Sequence, residues 1–225
     1  MKKLVFAALA LGLSMGAAHA ADLIIADPVV DVASSGYDWN GFYAGVVGGY
    51  GSGNTNYTVI AAPATQTNVG TSGWLLGATA GVNGQWDMFV LGVEGDIAWS
   101  NIRGTAATAL GGTVTSNLNW VGTVRGRAGV AVDQALLYVT AGVAVGSVTS
   151  TTDLGATFTG THTGWTAGAG VELAVTEDVS IKGEYSYTSF GAVSDGGALT
   201  AGLGATPINI TPSFHAVKIG ANFHF

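Results

Sequence analysis

Glycine-rich stretches of this chain alternate between two kinds of position, one apolar and one charged. In GVEGDIAW (residues 92–99) Glu94 and Asp96 share one phase, while Val93, Ile97 and Trp99 occupy the other. In WVGTVRGRAGV (120–130) Thr123, Arg125 and Arg127 alternate with Trp120, Val124, Ala128 and Val130. Glu172, Lys182, Glu184 and Lys218 repeat the pattern further on. A period of two predicts strands, each with one charged and one apolar face. A water-soluble sheet would bury the apolar face, and a membrane barrel would bury the charged one.

Eight such segments, each of about ten residues, are expected near 40–51, 73–86, 89–100, 118–131, 136–148, 164–175, 179–188 and 214–225. That is the length a tilted strand needs to cross a bilayer. Their connections alternate. Asp87-Met88, Val132-Asp133-Gln134-Ala135 and Thr176-Glu177-Asp178 are tight turns, whereas 52–72, 101–117, 149–163 and 189–213 are long and rich in Thr, Gly, Ala and Ser. Short turns at one rim and long loops at the other are the layout of an outer-membrane barrel, with the turns in the periplasm. The fold class expected is all-β, an eight-stranded antiparallel transmembrane β-barrel.

The aromatics add a second signal. Tyr50, Trp74, Trp99, Trp120, Trp165 and Tyr187 fall at loop-side strand ends in the apolar phase. Phe42, Trp86, Phe89, Phe223 and Phe225 fall at the turn side, also in that phase. Two outward rings, one per rim, match the interfacial girdles of a membrane barrel. Turn chemistry supplies a third signal. If Thr176-Glu177-Asp178 is a three-residue turn, Glu172 stands directly opposite Lys182, and the register predicts an ion pair.

Composition removes other classes. Charged residues make up 9% of the 225, against about a quarter in ordinary soluble domains. There is no cysteine, hence no disulfide framework. Residues 1–20 read as a cleavable signal peptide, with Lys2 and Lys3, an apolar run Leu4–Leu13 and the Ala18-His19-Ala20 cleavage site. Residues 21–38 read as a periplasmic N-terminal extension, a tether or plug, and 39–225 as the barrel domain. No later stretch is long and apolar enough for a membrane helix, so export means periplasm, outer membrane or medium, and the barrel pattern selects the cell outer membrane. After cleavage five bases face fourteen acids, a net charge of −9 that argues against nucleic acid as a partner.

WNGFYAGVVGGYG, GVEGDIAWS, WVGTVRGRAGVAVD, KGEYSYTSFG and the closing VKIGANFHF together resemble the opacity-type, immunogenic porin-like outer-membrane barrels of alphaproteobacteria, related in architecture to the OmpA transmembrane domain. The resemblance covers about 40–225. It implies an eight-stranded barrel inserted by the barrel-assembly machinery, which reads a C-terminal aromatic; Phe225 matches that requirement. It leaves open whether the barrel conducts.

Orientation follows from energetics. A Lys or Arg facing lipid at the bilayer midplane costs roughly 2–4 kcal/mol, so Glu94, Asp96, Arg125, Arg127, Glu172, Lys182, Glu184 and Lys218 are expected inside. An eight-stranded barrel is just wide enough to be filled by side chains, and buried ions must pair. Glu94 and Asp96 are expected to meet Arg125 and Arg127; Glu172 and Glu184 are expected to meet Lys182, with Lys218 nearby. Such a network serves either as a polar core that holds the barrel shut or as a narrow ion path whose pairs switch partners. Eight acids, Asp22, Asp27, Asp31, Asp38, Asp87, Asp133, Glu177 and Asp178, gather on the periplasmic side, where Asp suits turns.

No catalytic, cofactor or metal site is expected. His162 lies in the third long connection, and His215 and His224 lie at opposite ends of the last strand. No nucleophile–base–orienter set converges, and no zinc or calcium spacing occurs. GAGVE at 168–172 lacks the third glycine and the helix of a dinucleotide fingerprint. The role expected is therefore structural: a barrel that stabilises the envelope and displays loops. A small diffusion channel and a loop-mediated adhesin or immune-facing protein are the alternatives. Outer-membrane lipid and lipopolysaccharide are the expected surroundings, with host or phage contacts through the loops.

Overall fold

The computed structural model describes residues 36–108, 112–203 and 206–225. The leader and most of the N-terminal extension expected from the sequence lie outside them. Strands β1 (Gly41–Val59), β2 (Gln66–Trp86), β3 (Phe89–Ala107), β4 (Thr113–Val132), β5 (Ala135–Thr152), β6 (Thr157–Ala174) and β7 (Val179–Phe190) follow in a meander. A two-residue β8 (Val193–Ser194), a 3-10 turn (Ala198–Leu203) and β9 (Ile208–His224) complete the chain. Every neighbouring pair is antiparallel, and β1 pairs with β9 from Tyr43↔His224 to Val59↔Ile208. Eight long strands thus close a ring. The short β8 resumes the place of β7 beside β9, at Val193↔Ile210 and Ser194↔Asn209.

Closure satisfies the backbone without an edge, which a spanning sheet in lipid requires. The tight turns fall where the sequence puts them. Asp87 and Asp133 open two of them at φ 53° and 52°, a left-handed conformation that Asp tolerates better than most residues.

The long connections differ from the expectation. Residues 52–59, 66–72, 101–107, 113–117, 149–152 and 157–163 are strand rather than loop, so the sheet continues well past the loop-side aromatics as a collar. Thr is β-branched and fits a pleated surface, and the Thr-rich runs extend the ladder with pairs such as Thr105–Thr115 and Thr149–Thr159, whose hydroxyls lie 2.8 and 3.0 Å apart.

The exterior is apolar through the middle band. Of the turn-side aromatics, Phe42, Trp86, Phe89, Phe223 and Phe225 all point outward and are exposed. Tyr50, Trp74, Trp99 and Trp165 do the same toward the other rim, while Trp120 and Tyr187 are outward but half-buried among neighbours. Inside, three apolar clusters are stacked along the axis. One at the turn rim contains Trp39, Val90, Leu136, Tyr138 and Ala174. A middle one includes Leu75, Ile102, Leu118, Phe190 and Phe214. The third, in the collar, joins Tyr57, Val69, Val114, Leu199 and Ile210.

Candidate functional site: the ionic layer of the lumen

The eight alternating charges converge between the turn-rim cluster and the middle cluster. Arg125 is at the centre. Its Nη2 lies 2.5 Å from Glu94 Oε1 and 3.0 Å from Asp96 Oδ2, and its Nη1 lies 2.6 Å from Glu184 Oε1. Lys182 Nζ reaches Glu94 Oε2 at 2.6 Å, and Lys218 Nζ reaches Glu184 Oε1 at 2.9 Å. Arg127 pairs with Glu172. Four acids and four bases therefore neutralise one another, which is the condition for keeping ions out of water.

The pairing differs from the sequence expectation in three places. Glu172 and Lys182 do stand opposite each other on the β6–β7 ladder, yet they are not ion partners. Facing residues project side by side toward the axis, so a long lysine reaches past its neighbour to the opposite wall, where Glu94 lies. Glu172 is meanwhile occupied by Arg127, by Ser180 Oγ donating at 2.5 Å and by Asn222 Nδ2 donating at 2.7 Å. Arg127 in turn does not join Glu94 or Asp96. Its ladder partner on β3 is Gly92, and the acid within reach is Glu172. Glu184, finally, takes Arg125 and Lys218 rather than Lys182.

Uncharged residues complete the layer. Tyr43 donates to Glu94 Oε2 at 2.9 Å, Tyr138 to Glu184 Oε2 at 3.3 Å and Thr123 to Asp96 Oδ2 at 2.6 Å. The Arg127 guanidinium lies 3.8 Å from the centroid of the Tyr138 ring, a cation–π stack that suits the weakly hydrated Arg head. Both tyrosines reach across because glycines face them. A Cβ on Gly81 would sit 2.5 Å from Tyr43 Cζ, and one on Gly170 would sit 2.6 Å from Tyr138 Cζ. The sequence reading placed Thr123 on the charged face and missed Tyr43, Tyr138, Ser180, Asn222 and His224 as members. The signal for them was present, since each shares the inward phase of a charged neighbour on its own strand or ladder.

Below the charges, His224 Nε2 approaches Ser180 Oγ at 3.0 Å and Glu172 Oε1 at 3.6 Å. Ser180 is fully buried and already hydrogen-bonded to the acid, so it is not presented to a substrate. The ring of His224 is covered by Trp39 at 5.7 Å and Tyr37 at 5.8 Å. These two residues, just before β1, close the turn-side mouth. Trp39 N donates to Gln85 Oε1 at 2.8 Å, Tyr37 N to the Asp133 carbonyl at 3.0 Å and Tyr37 OH to the Glu177 carbonyl at 2.9 Å. Partial burial, with Glu172, Asp178 and Asp38 nearby, pushes the Tyr37 hydroxyl up from its ordinary range, so it remains a donor.

The other histidines are apart from this layer. His162 is in β6 rather than in a loop. It is buried beside Phe190, with Nδ1 3.2 Å from the Gly191 carbonyl. His215 lies on the outer face, 2.6 Å from Tyr185 OH. Among the described residues no group of three or more His, Cys, Asp or Glu is arranged to hold a metal ion.

The space lined by Arg125, Lys182, Glu184 and Lys218 has ≈ 0 Å³ of room for water, below the roughly 10–15 Å³ that one molecule needs, and the space above it beside Asp96, Thr123 and Lys218 has ≈ 20 Å³. A closed ring, a filled polar lumen and an apolar outer band are features of a transmembrane barrel. A family model described as the outer membrane protein beta-barrel domain matches residues 6–225. The chain belongs to that family. It is an outer-membrane β-barrel protein, located in the bacterial outer membrane.

Relatives agree. The 31 kDa outer-membrane immunogenic protein of Brucella melitensis biotype 1 is 30% identical over 246 aligned positions, covering 100% of both chains. The 22 kDa outer membrane protein of Rhizobium leguminosarum bv. viciae is 34% identical over 152 residues, 68% of this chain and 64% of that one. Among solved structures, the outer membrane protein OprG of Pseudomonas aeruginosa superposes with a TM-score of 0.56 at 16% identity, covering 85% of this chain and 99% of that one. At that identity the likeness speaks for the fold alone.

Proposed function

We propose that this protein is a sealed structural barrel, one that stabilises the outer membrane and carries a β-collar outside the cell, rather than a channel. The observation that carries this reading is the stacking of a tightly packed, charge-balanced ionic layer between two apolar layers. An ion entering from the periplasm would meet Tyr37 and Trp39, then an Arg125 whose two terminal nitrogens already serve three carboxylates, then Phe190 and Phe214 with ring centroids 6.2 Å apart. A narrow path with exchanging pairs would need a continuous file of water among the charges, and the packing leaves ≈ 0 Å³ between Arg125, Lys182 and Glu184 and ≈ 20 Å³, room for about one molecule, beside Asp96 and Lys218.

The outward aromatics suit contact with outer-membrane lipid and lipopolysaccharide. The exposed terminal Phe225 suits reading by the barrel-assembly machinery. A non-catalytic role agrees with the burial of Ser180 and the separation of the three described histidines. The immunogenic naming of the Brucella relatives supports a secondary reading in which the collar is a target for antibody or other surface contacts.

The test is electrical. Folded protein inserted into a planar bilayer should give no steady current above baseline. Stable open-channel steps that change size in Glu94→Gln would overturn the sealed reading.

A further inference from the structure

The collar ends in a recess that the ionic layer does not explain. Its floor is Tyr57, whose hydroxyl lies 2.9 Å from Ser150 Oγ and so turns the ring's apolar face upward. Its walls are Val59, Val114, Leu199 and Ile208, ringed by threonine hydroxyls. The enclosed part measures ≈ 60 Å³, well under the roughly 150 Å³ that accepts a benzene ring. It fits the end of an unbranched alkyl chain.

Two features mark this as a built site. The first is its ceiling. The 3-10 turn that carries Leu199 and Thr200 is tied down by buried Asp195, whose carboxylate accepts from Gly197 N at 2.9 Å, Leu199 N at 2.9 Å and Ile208 N at 2.8 Å. Thr200 Oγ1 donates to the Thr206 carbonyl at 2.6 Å. The second is its rim, where one charge stands beside one exposed apolar residue. Asp153 is the charged residue of the lining. Its amide donates to the Thr113 carbonyl at 3.2 Å, and its Oδ2 accepts from Thr113 N at 3.1 Å. Gly112 makes this possible, since its φ is +82° and a Cβ there would sit 2.6 Å from that oxygen. Next to Asp153, Leu154 is 73% exposed at the tip of the β5–β6 hairpin, far beyond the outward aromatics and therefore in water rather than lipid. A fixed carboxylate over an apolar slot with an uncovered leucine at its lip matches a molecule that has an alkyl end and a cationic head.

We propose that the extracellular mouth binds small aliphatic ammonium compounds, with the alkyl end against Tyr57, Leu199 and Ile208, the ammonium at Asp153, and Leu154 folding over the chain. The neutral lining elsewhere supplies no counter-charge for an acid, so a carboxylate of the same length is excluded by Asp153.

The full-length barrel in lipid nanodiscs, with isotope-labelled leucine methyls, provides the test. Titration with n-butylammonium should shift the Leu199 and Leu154 methyl resonances saturably. n-Butanol should bind at least about fivefold more weakly, and butyrate should leave both resonances unmoved. Asp153→Asn should bring butylammonium down to the level of butanol. Leu199→Trp, which fills the slot, should abolish the Leu154 methyl shift with either compound while the protein keeps its heat-modifiable gel migration. The proposal is overturned if butylammonium gives no saturable shift, if butyrate binds equally well, or if Asp153→Asn keeps the preference for the amine.

Discussion

Lys182 stands opposite Glu172 on the β6–β7 ladder, yet its ammonium lies 2.6 Å from Glu94, across the lumen on β3. The partner is set by ring closure and not by hairpin register. A double-mutant cycle separates the two. Lys182→Met combined with Glu94→Gln should show a coupling of about 1–3 kcal/mol in urea unfolding from lipid vesicles, as contacting residues do. Lys182→Met with Glu172→Gln should show a clearly smaller coupling, because the two charges are neighbours on the ladder without an ion contact. The reverse ranking would mean that the ladder pair is the real one.

Arg125 holds three carboxylates at once, and its loss leaves one net negative charge buried: Glu94 keeps Lys182 and Glu184 keeps Lys218, while Asp96 keeps only the Thr123 hydroxyl. Arg125→Leu should cost about 3–5 kcal/mol, seen as a lower temperature at which the compact form disappears on gels. Arg125→Lys should fall between that and wild type, because one ammonium cannot span Glu94 and Glu184 with a planar fork.

Trp39 is a buried plug rather than part of a strand. Trp39→Ala should destabilise the barrel by about 3–5 kcal/mol and speed hydrogen exchange at the turn-side rim. Planar-bilayer recordings of this variant should still be silent, since Phe190 and Phe214 remain in the lumen above the charges.

The Gly81–Tyr43 contact predicts a steric effect. Gly81→Val should push the Tyr43 ring off Glu94 and cost about 1–3 kcal/mol. In a Tyr43→Leu background the same change should cost less without becoming free, because the new Cβ would still meet the Val93 carbonyl oxygen at 2.7 Å. Equal cost in both backgrounds would separate Gly81 from the tyrosine.

Removing Phe225 tests the assembly reading. The shortened protein should refold from urea into detergent much as the full chain does, because Phe225 is exposed, its ring meeting Phe223 at 5.1 Å and its N–H giving one terminal hydrogen bond to the Phe42 carbonyl at 2.9 Å. In cells its amount in the outer membrane should fall several-fold, with precursor accumulating in the periplasm. Unchanged membrane levels would remove Phe225 from that role.

Much of the architecture is legible in the chain because its signals are local. Strand phase follows from alternation around Glu94, Arg125 and Lys218. Turn positions follow from Asp87 and Asp133, and the β6–β7 register follows from three residues, 176–178. What escaped depends on distant groups. Whether Arg127 meets Asp96 or Glu172 is decided by the height at which strands two apart in the ring bring their side chains. His162 looked like a loop residue because Thr-rich sequence without apolar alternation reads as coil, although β-branched Thr at both faces suits a strand with water outside. Trp39 carried no period of its own, being a single anchor ahead of the first strand.

Three of the ionic contacts, Lys182–Glu94, Arg125–Glu184 and Arg127–Glu172, join strands that share no backbone ladder. Lys182–Glu94 ties β7 to β3, four places apart in a ring of eight, and Arg125–Glu184 ties β4 to β7. Hydrogen bonds around the ring fix its circumference but leave its roundness free, since a hoop can flatten without losing a bond. Cross-braces of fixed length remove that freedom. Lateral pressure from the membrane would then be resisted in compression by the charges and in tension by the ladders, in the manner of a spoked wheel.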